Sequence, residues 1–120
     1  MSQAKIVSLI GIVLRELYYE LSFRENLRLH RDDVVLERRL HLGSKSDVDF
    51  EIYRRFFRAA YWYLTDSKII GSDARFDYKN GDAYVEYFLK ERLNEEELSK
   101  KTEEICSKYY KYLQSALKQD

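Results

Sequence analysis

The chain contains no proline, and among its 120 residues it has only one cysteine, four glycines and two histidines. The single cysteine, Cys106, excludes an internal disulfide and a zinc site built from several cysteines. Such cysteine usage is typical of a reducing compartment, so we expect a cytoplasmic protein. With no proline and little glycine, there is little room for a flexible linker. We therefore predict one domain over residues 1–120, in which residues 1–93 form the body and 94–120 a C-terminal helix.

The chain also lacks net charge, because 21 basic residues balance 21 acidic ones. No overall field therefore draws it to nucleic acid or to an anionic membrane, and any binding face must be local. The apolar run Ile6 to Leu14 is interrupted by Ser8 and stops at Arg15, so it is too short to span a bilayer. It also lacks the basic start and the cleavage site of a signal peptide. We interpret it as a core helix.

Apolar residues at helical spacing predict a first helix from Gln3 to Leu21. The segment from Phe23 to Leu42 carries two helix-start signals, which predict one bent helix or two short ones, closed by Gly43. A capping box that starts at Ser46 predicts the beginning of the next helix, which spans Asp47 to Asp66.

The final helix has the clearest start signal, because Asn94 can cap it and three glutamates follow in its first turn. Apolar residues along it alternate between spacings of four and three, which is the pattern of a heptad seam. The seam consists of Leu98, Thr102, Ile105, Tyr109, Tyr112 and Ala116. Since tyrosine is favoured at the centres of protein interfaces, we predict that this helix joins two copies into a homodimer or binds a partner helix.

The segment from Arg75 to Tyr87 predicts a β-hairpin around Asn80-Gly81. If these two residues form the loop, both at positive φ, the strands have one apolar and one charged face. The apolar face pairs Tyr78 with Ala83, Phe76 with Val85 and Ala74 with Tyr87. The other face pairs Lys79 with Asp82, Asp77 with Tyr84 and Arg75 with Glu86. Because a lone hairpin is marginal in water, we expect the apolar face to lie on helices.

The predicted order is helix, helix, a short turn at His41 to Ser46, helix, hairpin and long helix, which is the order of winged-helix DNA-binding domains. The stretch from Tyr63 to Ile70, followed by the hairpin with its Asn-Gly tip, resembles a recognition helix that runs into a wing. The resemblance covers roughly residues 32–89. It implies a mainly α fold with one β-hairpin (α+β), a winged-helix body and a long C-terminal helix. A helical bundle with a hairpin insertion is the alternative fold.

The resemblance implies that the Asp47 to Asp66 helix enters the major groove of duplex DNA. On it, Arg54, Arg58 and Trp62 follow one another at four-residue spacing, with Arg55 beside them. Guanidinium groups contact phosphates or guanine edges, and an indole packs on sugar or an unstacked base. Lys79 at the wing tip would contact phosphate. The alternative is that the arginines form a solvated face and that Trp62 is half core.

We therefore predict a non-enzymatic transcriptional or architectural factor that binds duplex DNA as a dimer. A helical scaffold, assembly subunit or inhibitor with a protein or ribonucleoprotein partner fits the neutral charge equally well. A third hypothesis rests on Arg24 and His30, whose spacing is similar to that of HEPN ribonucleases; His30 would be the general acid or base. No metal-ligand spacing, phosphate loop or nucleophile motif is present, so no catalytic residue, cofactor or metal is predicted.

Overall fold

The computed structural model describes residues 3–23, 27–29 and 33–117. The elements, in chain order, are α1 (Gln3–Ser22), β1 (Leu27–Leu29), α2 (Asp33–Leu42), α3 (Phe50–Asp66), β2 (Ile70–Asp77), β3 (Asp82–Leu89), α4 (Glu95–Lys108) and α5 (Tyr110–Leu117). The described chain is thus mainly α with one β-hairpin, which confirms the predicted α+β class. None of the described helices is both long and apolar enough to cross a membrane.

Helix α1 lies at the centre of the core, and both α3 and α4 pack against it. Its apolar residues are spaced so that one broad stripe is buried, as amphipathic periodicity predicts. The buried residues of this stripe are Ile6, Leu9, Ile10, Val13, Leu14, Leu17, Tyr18 and Leu21. The helix predicted from Gln3 to Leu21 is confirmed to within one residue at its end.

The segment that follows α1 differs from the prediction. One bent helix or two short ones were predicted from Phe23 to Leu42. Among the described residues of this segment, Asp33–Leu42 is helical, whereas Leu27–Leu29 is a strand that pairs with β3, with Leu27 opposite Tyr87. The sheet order β1-β3-β2 therefore places β3 in the middle. A strand of three residues has too little local pattern to be recognised, and its hydrogen bonds to a distant strand override the local helix signals.

The hairpin forms, but its register is shifted by two residues from the prediction. Asp77 pairs with Asp82, which leaves a four-residue loop between the strands. The Asp77 carboxylate determines this loop, because it accepts hydrogen bonds from the backbone N–H groups of Lys79 and Asn80 at 2.9 and 3.3 Å. Gly81 takes a φ of 70°, whereas Asn80 does not take the predicted positive φ. Because the shift is an even number, every strand residue keeps its predicted face.

The prediction that the whole apolar face of the hairpin lies on helices is wrong for its outer half. Tyr87, near the base, is fully buried, but Phe76 is 49% and Tyr78 is 89% exposed. Their rings pack edge to face, with centroids 4.9 Å apart. The hairpin therefore projects beyond the helices, in a molecule with extents of 50 × 31 × 22 Å.

Helix α3 begins at Phe50 rather than Asp47, because Asp49 and not Ser46 is its N-cap. The Asp49 carboxylate accepts a hydrogen bond from the backbone N–H of Ile52 at 3.0 Å. Ser46 belongs to the preceding turn, which Glu16 of α1 holds through the backbone N–H of Lys45 at 2.7 Å. This hydrogen bond connects the turn before α3 to the core helix α1.

The C-terminal helix begins as predicted but does not continue as one piece. Asn94 and Glu97 form a reciprocal capping box, with 2.8 and 3.0 Å hydrogen bonds. The predicted long helix is then broken at Tyr109, whose backbone has a φ of −113° and a ψ of 22°. The last turns, α5, pack on α3.

Candidate nucleic-acid interface

Four of the five residues predicted to contact DNA lie along one side of α3. The opposite side of this helix is buried in the core through Ile52, Tyr53, Phe56, Phe57, Ala59, Ala60 and Leu64. Because these positions follow helical spacing, the remaining stripe faces outwards. That stripe contains Arg54, Arg55, Arg58 and Trp62, which we call the arginine face. The sequence correctly grouped these four side chains on one side of a helix.

Glu37 of α2, which the sequence interpretation did not consider, holds two of these arginines. Its side chain is fully buried. Its Oε2 atom lies 3.1 Å from Nε of Arg54, and its Oε1 atom accepts a hydrogen bond from Nε of Arg58 at 3.1 Å. A buried carboxylate is costly unless it is paired, so the two guanidinium groups are fixed beside each other.

Both arginine side chains keep contact with solvent, since Arg54 is 30% and Arg58 is 34% exposed. Partial burial by itself lowers the pKa of Arg58, but the hydrogen bond and the charge of Glu37 outweigh it, so that the pKa is raised. Each guanidinium directs Nε towards Glu37, and the Arg58 guanidinium also hydrogen-bonds the side chain of Tyr112. Arginine binds oxyanions with its two terminal nitrogens.

Tyrosines of the C-terminal segment complete the arginine face. The Arg55 guanidinium lies 5.7 Å from the ring centroid of Tyr112, within the range of a cation–π contact. The ring of Trp62 lies 5.5 Å from that of Tyr112 and 6.0 Å from that of Tyr109. Trp62 is therefore both packed and partly exposed, as the half-core interpretation expected.

The formal charges of the arginine face and Glu37 sum to plus two, because the cluster contains three arginines and one glutamate. A surplus of this kind attracts anions even though the whole chain is neutral. Lys79 is not part of the cluster, since it lies in the exposed loop at the far end of the hairpin. At about 3.3 Å per residue, strand β2 carries this loop roughly 23 Å from its base.

No protein-family model matches the chain, and no similar curated protein or solved structure was found. Function must therefore be inferred from this chain's own geometry.

The six residues of the predicted dimer seam pack within one chain. Leu98, Thr102, Ile105 and Ala116 are buried, while Tyr109 and Tyr112 are half-buried. The hydroxyl of Thr102 donates to the carbonyl oxygen of Leu98 at 2.9 Å. The heptad spacing is thus explained by packing on α1 and α3. Self-association of the protein through the C-terminal helix stays a prediction, and of the six seam residues Tyr109 and Tyr112 keep a partly exposed surface.

The remaining chemical candidates that the structure describes do not form a second site. Arg24 and His30 of the ribonuclease hypothesis lie outside the described residues. The His41 ring lies 2.9 Å, through Nε2, from the carbonyl oxygen of Val48, a contact within the turn before α3. Burial raises the pKa of the Cys106 thiol, which disfavours the reactive thiolate. In the described part of the chain, no group of three or more histidine, cysteine or acidic side chains is placed to bind a metal.

Proposed function

We propose that the protein binds duplex nucleic acid through the arginine face, with the hairpin lying along the phosphate backbone. The observation that carries this proposal is the fixing of Arg54 and Arg58 by one buried carboxylate. Such anchoring orients both guanidinium groups before any ligand arrives, so less conformational entropy is lost on binding. Arg55 and Trp62 extend the same exposed stripe by one cation and one aromatic ring.

The order of elements supports the proposal. Helices α1, α2 and α3 precede the hairpin, and α3 leads into β2 through only three residues, 67–69. This is the order that the resemblance to winged-helix domains implies, in which α3 is the recognition helix and the hairpin is the wing. The short strand β1 and the break before α5 are additions to that expected order.

The expected affinity depends on salt to a limited degree. Contacts to phosphate by Arg54, Arg55, Arg58 and Lys79 would release about four counterions. The slope of log K against log salt concentration would then be about −3 to −4 for duplex DNA. A neutral chain with such a small footprint should bind tightly only at low ionic strength.

The test measures binding of the purified protein to labelled duplex DNA, single-stranded DNA and RNA over a series of salt concentrations. Arg55→Ala and Lys79→Ala are the informative variants, because neither residue pairs with Glu37 and both should leave the fold intact. Each should weaken duplex binding for all sequences and make the salt slope shallower by about one. Lys100→Ala, which removes one exposed positive charge on α4, is the matched control and should bind like the parent.

Equal weakening by all three variants would show a general charge effect and would contradict the role of the arginine face. No binding to any of the three nucleic acids at low salt would overturn the proposal. The scaffold hypothesis would then be favoured, since the exposed aromatic residues of the hairpin tip are of the type enriched in protein interfaces.

A further inference from the structure

Strand β2 forms one edge of the sheet. The order β1-β3-β2 leaves its outer side without a neighbouring strand in the part of the chain that the structure describes. The strand spans eight residues, Ile70–Asp77, and contains no proline that would interrupt pairing. An edge of this length is a template for the addition of another strand.

The hydrogen-bond pattern of the hairpin shows which residues could pair outwards. The backbone N–H of Lys90 donates to the carbonyl oxygen of Ile69 at 2.8 Å, so these two residues form a hydrogen-bonded pair. Such pairs alternate along an antiparallel ladder. The odd-numbered residues of β2 therefore direct their backbone groups towards β3. Ile70, Ser72, Ala74 and Phe76 direct theirs to the open side.

We propose that two copies of the chain associate through antiparallel pairing of their β2 strands, with the two-fold axis at Ala74. Ala74 then faces Ala74 of the second copy in a hydrogen-bonded pair. Asp73 of each copy faces Arg75 of the other in the adjacent pairs without hydrogen bonds, in which side chains approach most closely. The result is one sheet of six strands with an isologous interface.

Charge complementarity selects this register. Moving the axis to Asp73 would place Asp73 opposite itself, and moving it to Arg75 would place Arg75 opposite itself; both arrangements are repulsive. An axis at Phe76 would pair Arg75 with Asp77, but the strand ends at Asp77, so only residues 75–77 could pair. With the axis at Ala74, residues 71–77 all take part.

The proposed register also provides neighbours for the exposed aromatic residues of the hairpin. Phe76 comes opposite Ser72 of the second copy, and Tyr78 reaches the level of its Ile70. Both aromatic side chains are largely exposed in the single chain. Asp73 and Arg75 are half-exposed, and within one chain Nη2 of Arg75 lies 3.5 Å from Oδ2 of Asp73. They are thus accessible for the same contact between copies.

The test measures the mass of the full chain in solution by sedimentation over a range of protein concentrations. The parent should form a dimer. Asp73→Arg and Arg75→Asp should each replace two attractive pairs by two repulsive ones and weaken dimerisation by roughly tenfold to thirtyfold. Asp82→Arg, an exposed charge reversal on β3, is the matched control and should dimerise like the parent. Circular dichroism checks that each variant is folded.

A mixture of the two charge-reversal variants tests the register directly. Asp73→Arg and Arg75→Asp chains should form a mixed dimer with each other, because every pair in the register is then again of opposite charge. The double variant Asp73→Arg/Arg75→Asp should dimerise with itself for the same reason. A parent that stays monomeric at every concentration would overturn the proposal, as would an Asp73→Arg variant that dimerises like the parent or a mixture that does not associate.

Discussion

At the residue scale, the buried carboxylate of Glu37 organises the arginine face. It lies 3.1 Å from both Arg54 and Arg58, and such pairing offsets the cost of burying its charge. Leu36 and Leu40 of the same helix are buried beside it. Glu37 therefore lies next to the buried leucines on the surface of α2. An acidic residue beside this apolar stripe was the one signal in the sequence that could have predicted a buried ion pair.

We expect Glu37→Gln to lower the free energy of unfolding by about 1–3 kcal/mol, because two charge-assisted contacts are lost while both arginines can still reach water. Urea denaturation followed by circular dichroism measures this change. Glu51→Gln, which neutralises an exposed glutamate on α3, is the control and should stay within about 0.5 kcal/mol of the parent. If Glu37→Gln lowers the free energy of unfolding no more than Glu51→Gln does, the contacts of Glu37 with the two arginines do not stabilise the fold.

Tyr53 gives a second prediction at this scale, for alkaline pH. Its buried hydroxyl donates to Oε1 of Glu16 at 3.1 Å, and burial together with the charge of Glu16 raises its pKa far above the usual value. In the unfolded chain the hydroxyl ionises near pH 10, whereas the folded chain retains the proton. The contribution of the Tyr53 hydroxyl to the free energy of unfolding is therefore fully present below about pH 10. It decreases by about 1.4 kcal/mol per pH unit as the pH rises towards the pKa of the folded state.

Tyr53→Phe should accordingly lose less stability than the parent between about pH 10 and about pH 11. The measurement is the free energy of unfolding in urea at each pH. Tyr78→Phe, in which an exposed ring at the hairpin tip is changed in the same way, should follow the parent. If the pH dependence of Tyr53→Phe equals that of the parent, the hydroxyl does not remain protonated in the folded chain.

At the scale of elements, the hairpin shows how a side chain overrides a turn motif. The Asn-Gly pair predicts a two-residue loop, but the Asp77 carboxylate satisfies two backbone N–H groups in a longer loop. Only Gly81 then needs the left-handed conformation. The two-residue shift preserves both faces, and Arg75 still reaches Glu86 diagonally, with Nε 3.8 Å from Oε1. The faces were therefore predictable from the sequence, whereas the register was not.

Gly81→Ala and Gly43→Ala form a matched pair that tests this turn. At both positions an added Cβ would meet nothing within 4 Å, but only Gly81 has a φ in the left-handed region, at 70°. We expect Gly81→Ala to lower the free energy of unfolding by about 1 kcal/mol through backbone strain. Gly43→Ala should leave it unchanged or raise it by up to about 1 kcal/mol. Equal effects in urea denaturation would contradict the assigned turn.

At the scale of the whole molecule, α5 contributes buried side chains to the core of the single chain. Leu113, Ala116 and Leu117 are buried, and α5 packs on α3 beside the arginine face. Four residues of the predicted seam are buried, Leu98, Thr102, Ile105 and Ala116, but the seam pattern omitted Cys106, Leu113 and Leu117, which are buried as well. It did not reveal the partner, because a heptad spacing is the same whether the opposing helix belongs to the same chain or to another.

Leu113→Ala should therefore lower the free energy of unfolding by about 2–5 kcal/mol, as expected for a large-to-small change in a core. The difference from the parent should be the same at low and at high protein concentration, since the contact lies within one chain. Lys111→Ala, which changes an exposed residue of the same helix, should have a free energy of unfolding within about 0.5 kcal/mol of the parent. A difference that grows with dilution would instead place Leu113 in an interface between copies.

The sequence by itself determined the helices α1 and α3, the start of α4, the existence of the hairpin and the grouping of the arginine face. These features depend on hydrophobic periodicity and on capping contacts between residues a few positions apart. Only the tertiary structure decided the pairing of β1 with β3, the break at Tyr109 and the burial of the seam. It also brought Glu37 to Arg58, 21 residues later in the chain. Such contacts join distant segments, and their formation depends on which surfaces the whole chain can bury together.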